Sequence, residues 1–234
     1  QLQASEAGSW VPVHDHNDGV INILSFGAVG SEGTDDQAAI QAAIDAADAA
    51  GGVVLVPEGT FWIGSQITVP GDLRLVGLGR VRSTIKAMPG FNFSTSKAVI
   101  QLGDPGSGSV SASHACTIEH LRIHANDVAN SICVYSDTVN ELGGVFNCLL
   151  HSFKSKGIHV EKANGGTPQN FNLRNLEFYI SSDSEPNAAT AIDIDSDGQR
   201  FLISNVSVVA YSSSLNTGGI GIKVDGMNGL IQDC

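Results

Sequence analysis

Phe26-Gly27-Ala28-Val29-Gly30 runs on into Thr34-Asp35-Asp36-Gln37-Ala38-Ala39-Ile40-Gln41, and the reading of this stretch decides how the rest of the chain is understood. A Gly-rich turn delivers the backbone to Thr34, and Gln37 follows three residues later. That is the spacing of a capping box, with Asp35 and Asp36 at the positive end of a helix. Ile40, Ala43, Ile44 and Ala47 then recur at three- and four-residue spacing as one apolar stripe, until Gly51-Gly52 ends the helix. The predicted helix covers residues 35–50. Directly after it, Val53-Val54-Leu55-Val56-Pro57-Glu58-Gly59-Thr60-Phe61-Trp62-Ile63 reads as a buried strand, a turn and a second strand.

Further along, a repeat can be counted: apolar, any, Asn-like, apolar, any, apolar. It appears as Ile118-Glu119-His120-Leu121-Arg122-Ile123, Val145-Phe146-Asn147-Cys148-Leu149-Leu150, Leu173-Arg174-Asn175-Leu176-Glu177-Phe178 and Ile203-Ser204-Asn205-Val206-Ser207-Val208, and starts again at Ile231-Gln232-Asp233-Cys234. The third positions, 120, 147, 175, 205 and 233, are separated by steps of 27, 28, 30 and 28. A second pattern keeps time with the first: Ile132 with Val134, Ile158 with Val160, Ile192 with Ile194, Ile222 with Val224. Such a period marks a solenoid, in which each turn buries its apolar face only by stacking on its neighbours. The polar third position suits a bend where Asn tolerates left-handed backbone angles.

The order of turn, Thr-Asp-Asp helix, Gly-Gly-Val strand and Pro-x-Gly turn over about residues 21–63 resembles the N-terminal opening segment of the pectate-lyase-like superfamily. The family's Gly-Asp-Gly is replaced here by Gly30-Ser31-Glu32-Gly33, a change confined to a surface turn. The resemblance implies an all-β solenoid, a right-handed parallel β-helix whose N-terminal end is covered by a capping α-helix. Residues 1–20 fit the repeat poorly and are expected to form an arm or connector, with the β-helix over 21–234. Because the sequence stops partway through a repeat, more protein or a partner chain is expected over the open end.

Composition agrees with many short strands and turns: 42% hydrophobic residues, 15% charged, 27 Gly and 7 Pro. A net charge of -12, with the 12 Lys and Arg scattered, argues against a nucleic-acid partner. No run of 18 apolar residues is present to span a membrane. Cys148 and Cys234 hold the same repeat position three turns apart, about 14 Å at strand spacing, too far for a disulfide. Cys116 and Cys133 are left undecided.

On the second strand of each turn, period-two alternation aims the residues between the apolar ones outward. One expected outward column is Cys133, His159, Asp193, Lys223; the next is Tyr135, Glu161, Asp195, Asp225. Glu161, Asp195 and Asp225 would sit about 5 Å apart as neighbours and about 10 Å for the outer pair, separations that bracket those of retaining and inverting glycosidases. These three, with Asp193 and His159, are the candidate catalytic residues, one carboxyl serving as acid and its neighbour as base or nucleophile. Calcium is the competing use of Asp193, Asp195 and Asp197, and a solvated acidic face is the plain alternative.

Other candidates are His14-Asp15-His16-Asn17-Asp18, read as a polar linker, and His120 and His124 beside Glu119 and Asp127. Arg122-Ile123-His124 is similar to the Arg-Ile-Lys signature of polygalacturonases, with the Lys replaced and that family's Asn-Thr-Asp and Gly-His-Gly absent. Trp10, Trp62, Tyr135, Phe178, Tyr179 and Tyr211 are sugar-stacking candidates, although Phe178 holds a core repeat position.

The arm before the Phe-Gly-Ala turn and the open C-terminal end resemble the N-terminal part of a bacteriophage tailspike. That resemblance implies a homotrimer in the virion tail, contacting other tail proteins, that binds and cleaves host surface polysaccharide. A secreted pectinase-like enzyme and a non-catalytic structural spike or adhesin are the alternatives. Hydrolysis and β-elimination both stay open, with Lys223 the cation near the acidic column.

Overall fold

The computed structural model describes residues 2–4, 10–12, 19–50, 52–103, 115–137, 142–161, 170–180, 189–195, 201–210, 220–225 and 229–234. Apart from an antiparallel pairing of Leu2–Ala4 with Trp10–Pro12, its strands run parallel and stack into three faces. The first face contains Val20–Asn22, Val53–Val56, Arg74–Gly77, Thr117–Glu119, Gly144–Phe146 and Gly229–Gln232, with the leading halves of Phe171–Ile180 and Phe201–Ala210. The second contains Gly59–Ile63, Ser83–Ala87, Arg122–His124 and Leu149–Phe153, with the trailing halves of the same two long strands. Ile67–Val69, Ile100–Leu102, Ile132–Ser136, Lys156–Glu161, Thr190–Asp195 and Ile220–Asp225 make the third. The chain is therefore a parallel β-helix, and right-handed winding is the rule for such crossovers.

The bends between the first and second faces fall where the repeat puts its polar residue. His120, Asn147, Asn175, Asn205 and Asp233 have φ of 56, 55, 54, 52 and 54°. Three of them also hydrogen-bond along the axis: Asn175 Nδ2 donates to Asn147 Oδ1 at 2.9 Å, and Asn205 Nδ2 to Asn175 Oδ1 at 2.8 Å. Inside, Leu75, Ile118, Val145, Leu173 and Ile203 stack from the first face with no exposed surface, opposite Ile85, Ile123, Leu150 and Phe178 from the second. Each such side chain contributes about 1.5–3 kcal/mol by leaving water, and only stacked neighbours can supply that burial.

The helix runs Gln37–Ala50, two residues shorter at its start than expected. Its predicted stripe, Ile40, Ala43, Ile44 and Ala47, is wholly buried and covers the N-terminal end of the core. The capping box does not form. Asp36 holds the N-cap place, its carbonyl accepting from Ile40 N–H, while its carboxylate turns back to accept from Val29 N–H at 2.7 Å and Gly30 N–H at 3.1 Å. Asp35 accepts from Gln37 N–H and Gly64 N–H, and the Gln37 amide donates to the Gln66 carbonyl instead of reaching back to Thr34. The acidic pair thus ties the Phe-Gly-Ala turn and the first rung to the helix end. No helix of the described residues is long and apolar enough to cross a membrane.

No disulfide links the cysteines. Cys116, Cys133 and Cys148 are buried, and Cys234 is exposed. Cys148 and Cys234 lie 3.2 Å from the carbonyls of Phe146 and Gln232, the same offset two residues back, as expected of equivalent positions on different rungs. Burial pushes the Cys148 thiol up to about 12, so it is an inert core group.

Candidate active site on the third face

Register along the third face corrects the first member of each of the two columns read from sequence. Val134, not Ile132, aligns with Ile158, and Ser136 aligns with Val160, so the strand Ile132–Ser136 sits two residues further along than the apolar pattern suggested. Ser136, a small buried residue, occupies a core place where the pattern called for an aliphatic one. The central outward column is Gln101, Tyr135, His159, Asp193, Lys223. Cys133 is not part of it; this thiol is fully buried at the corner, 3.6 Å from the Ile123 carbonyl. In the second column Glu161, Asp195 and Asp225 do stand in register, as expected. Tyr135 does not precede them, since its place alongside Glu161 falls to Asp137.

The central column is polar yet sheltered. Gln101, Tyr135 and Asp193 retain only 3%, 2% and 5% of their surface, although alternation aims them away from the core. Tyr135 Oη donates to Glu161 Oε2 at 2.6 Å, with Asp137 Oδ2 at 3.3 Å, and the Lys97 ammonium lies 5.2 Å from the ring centre. The Gln66 amide donates to Gln101 at 2.6 Å and the Gln101 amide to the Asp137 carboxylate at 3.1 Å, which backs this contact. Burial, then the hydrogen bond to Glu161, raises the Tyr135 phenol well above its usual range, so it stays protonated as a donor.

One rung on, Asp193 gathers two ammonium groups and an imidazole. Lys156 Nζ reaches Asp193 Oδ2 at 2.6 Å, His159 Nδ1 lies 3.3 Å from the same oxygen, and Lys223 Nζ pairs with Oδ1 at 3.4 Å and with Asp225 at 2.9 Å. The Oδ1 contact is an ion pair and not a directed hydrogen bond. Burial opposes ionisation of Asp193, but Lys156, His159 and Lys223 together overcome it and hold the carboxyl below its ordinary value. Asp193 is therefore an ionised anchor. His159 goes the other way. Burial and then Lys156 lower its pKa against the pull of Asp193, leaving a neutral imidazole at pH 7. Its ring centre lies 5.6 Å from that of Tyr135.

A neutral base, a protonated phenol and the Lys156 ammonium thus share one sheltered strip, with the exposed Lys223 ammonium at its edge. Asp195 is exposed and the Asp225 side chain keeps 61% of its surface, so both flank this strip from solvent. Lysines already occupy Asp193, Asp197 lies outside the described residues, and no group of three or more His, Cys, Asp or Glu among the described residues could hold a metal ion. Lys156, Gln101 and Asp137 were missed in the sequence; with the correct register, the last two would have fallen in the outward columns.

The remaining candidates separate. His120 is a bend residue, and Glu119 is held below the usual carboxylate range, first by its hydrogen bond from Arg74 at 2.8 Å. Phe178 is core, as read, and Tyr135 is too buried to stack on a sugar. His14 to Asp18, Tyr211 and the side chain of Trp10 lie outside the described residues. Trp62, His124 and Tyr179 share a column on the second face.

Residues 20–233 match the family described as rhamnogalacturonase A/epimerase, pectate lyase-like. A mannuronan C5-epimerase, AlgE3 of Azotobacter vinelandii, is 40% identical over 78 residues, which is 30% of this chain and 4% of that protein. The tail spike protein of Shigella phage Sf6 is 34% identical over 87 residues, 35% of this chain and 14% of that one. The AlgE6 A-module of A. vinelandii superposes with a TM-score of 0.62 at 18% identity, over 91% of this chain and 62% of the module, a likeness of fold. The chain thus spans less than two thirds of each of these relatives.

Proposed function

The chain belongs to the rhamnogalacturonase A/epimerase, pectate lyase-like family, and from that premise we propose that it is a polysaccharide-modifying β-helix of a phage tailspike-type receptor-binding protein. The observation that carries the reading is the sheltered pairing of neutral His159 with protonated Tyr135 beside Lys156 and Lys223. In this reading His159 takes a proton from the sugar, Tyr135 orients the Glu161 carboxylate beside the scissile bond through its 2.6 Å hydrogen bond, and solvent protonates the leaving glycosidic oxygen. The lysines offset negative charge that develops on the substrate. Asp193 positions His159 and Lys156. Such a set suits β-elimination on a uronate, where the abstracted proton is made acidic by the neighbouring carboxylate. Hydrolysis is the second reading, favoured by the approach of both Asp137 and Glu161 to one phenolic oxygen.

The tailspike reading further proposes a homotrimer in the virion tail. The test incubates the protein with acidic bacterial surface polysaccharides, alginate and pectate, following reducing ends and absorbance at about 235 nm, with mass in solution by light scattering. The reading predicts a trimer that releases oligosaccharides, with absorbance marking elimination and its absence hydrolysis. A monomer that leaves every one of these polymers intact overturns it.

A further inference from the structure

The second face carries a different constellation. On its outward side Trp62, Lys86, His124, His151 and Tyr179 occupy successive rungs of one column. Their rings stack along the axis: His124 on His151 with centres 4.7 Å apart at 21°, His151 on Tyr179 at 5.4 Å and 14°, and the Lys86 ammonium 4.3 Å from the Trp62 ring centre. Rings stacked on one another cover their faces and leave their edges to meet a ligand. Asn126 N–H donates to His124 Nδ1 at 3.0 Å, so the neutral ring carries its proton on Nε2. Tyr179 Oη donates to Glu177 Oε1 at 2.7 Å.

The charge on this face is opposite to that of the chain. Lys86 lies in the column and Arg122 beside it, aligned with Thr84 and Leu149. Arg122 Nε is buried with no hydrogen-bond partner among the described residues. Of the acids nearby, Glu177 is already paired with Arg80 at 3.2 Å, and Asp127 acts on His151. Burial first, then His151, Lys86 and Arg122, lowers His124 to about 3, and burial with Arg122 and Lys86 lowers His151 against the pull of Asp127.

From this geometry we infer that the second face is a separate binding site for an anionic polysaccharide, which lies along the solenoid axis on the column from Lys86 to Tyr179. Rungs repeat at about 4.8 Å, of the order of the length of one pyranose, so successive imidazole and phenol edges meet hydroxyls of successive sugars. Lys86 and Arg122 pair with the carboxylates or sulfates of that chain. The third-face cluster is a different surface, so this site retains the polymer without acting on it. The choice of a saccharide as ligand rests on the polysaccharide reading above; the column itself does not.

Calorimetric titration with oligogalacturonate tests this, with dextran as the uncharged control and a single-stranded oligonucleotide as the non-saccharide polyanion. The expected result is binding that weakens with salt, falls about tenfold in the Lys86→Gln, Arg122→Gln double variant, and survives Tyr135→Phe and His159→Ala on the third face. Lys86→Glu, a change at a half-exposed residue, gives the same loss without touching the buried Arg122, and circular dichroism confirms the fold of each. Binding that ignores the second-face substitutions overturns the inference, whether or not the third-face variants abolish it. So does equal binding of the oligonucleotide. Second-face binding in a protein that cleaves no polysaccharide sustains the inference while the catalytic reading fails.

Discussion

Replacing His124 with asparagine removes a titrating group that the fold holds far from its ordinary pKa. Burial, the stacked His151 ring, Lys86 and Arg122 lower it from 6.5 to about 3. Above pH 6.5 the imidazole is neutral whether the chain is folded or unfolded, and it adds nothing to pH dependence. As the pH falls below 6.5 the unfolded chain takes up the proton and the folded one does not, so stability is lost progressively across the window from 6.5 to about 3. At pH 5 the difference is about 1.5 units, or about 2 kcal/mol. The assay is urea unfolding of wild type and His124→Asn at pH 7 and pH 5, each pair compared at one pH so that contributions common to both proteins cancel. Wild type is expected to lose about 2 kcal/mol more than the variant between these pH values. Equal losses would refute the placement of His124 in a sheltered, positively charged column.

At the Asn ladder, Asn175→Ala loses two axial hydrogen bonds and forces a left-handed alanine, for about 2–3 kcal/mol, whereas Asn175→Gly keeps the backbone geometry and loses less, a ranking that thermal unfolding reads directly. Because His159 is held below 6.5, the acid limb of any pH–rate profile for the polysaccharide reaction should lie below pH 6.5; a limb above it would contradict a neutral His159 base. A thiol reagent should reach Cys116, Cys133 and Cys148 only after unfolding; prompt labelling of any of these three in the native protein would contradict the buried placement.

The fold was legible because its two strongest signals are local. The stripe of Ile40, Ala43, Ile44 and Ala47 needs only helical spacing, and the left-handed bends at 120, 147, 175, 205 and 233 need only a polar residue once per rung. The cap was misassigned because Asp35 and Asp36 are recruited by distant amides, of Gly64, Val29 and Gly30, that no local pattern reveals. The acidic column of Glu161, Asp195 and Asp225 was found by counting, since each rung there keeps strict alternation. The rung before it was misread by two residues because Ile132 imitates a core residue and Ser136, at the true core place, does not. Tyr135 therefore joins His159 and Asp193, neighbours already in the sequence reading, only in three dimensions. Their ionisation states depend on burial and on Lys156, which the alternation argument never consulted.

The most direct test of the central claim is the initial rate of polysaccharide modification by His159→Ala and Tyr135→Phe against wild type, on whichever polymer the wild type attacks. His159→Ala is expected to lower the rate by about a hundredfold or more with the fold unchanged, as loss of a general base does, and Tyr135→Phe by about tenfold, as loss of the hydrogen bond that holds Glu161 does. Rates within a few-fold of wild type for both variants would place the chemistry elsewhere on the β-helix and contradict the account.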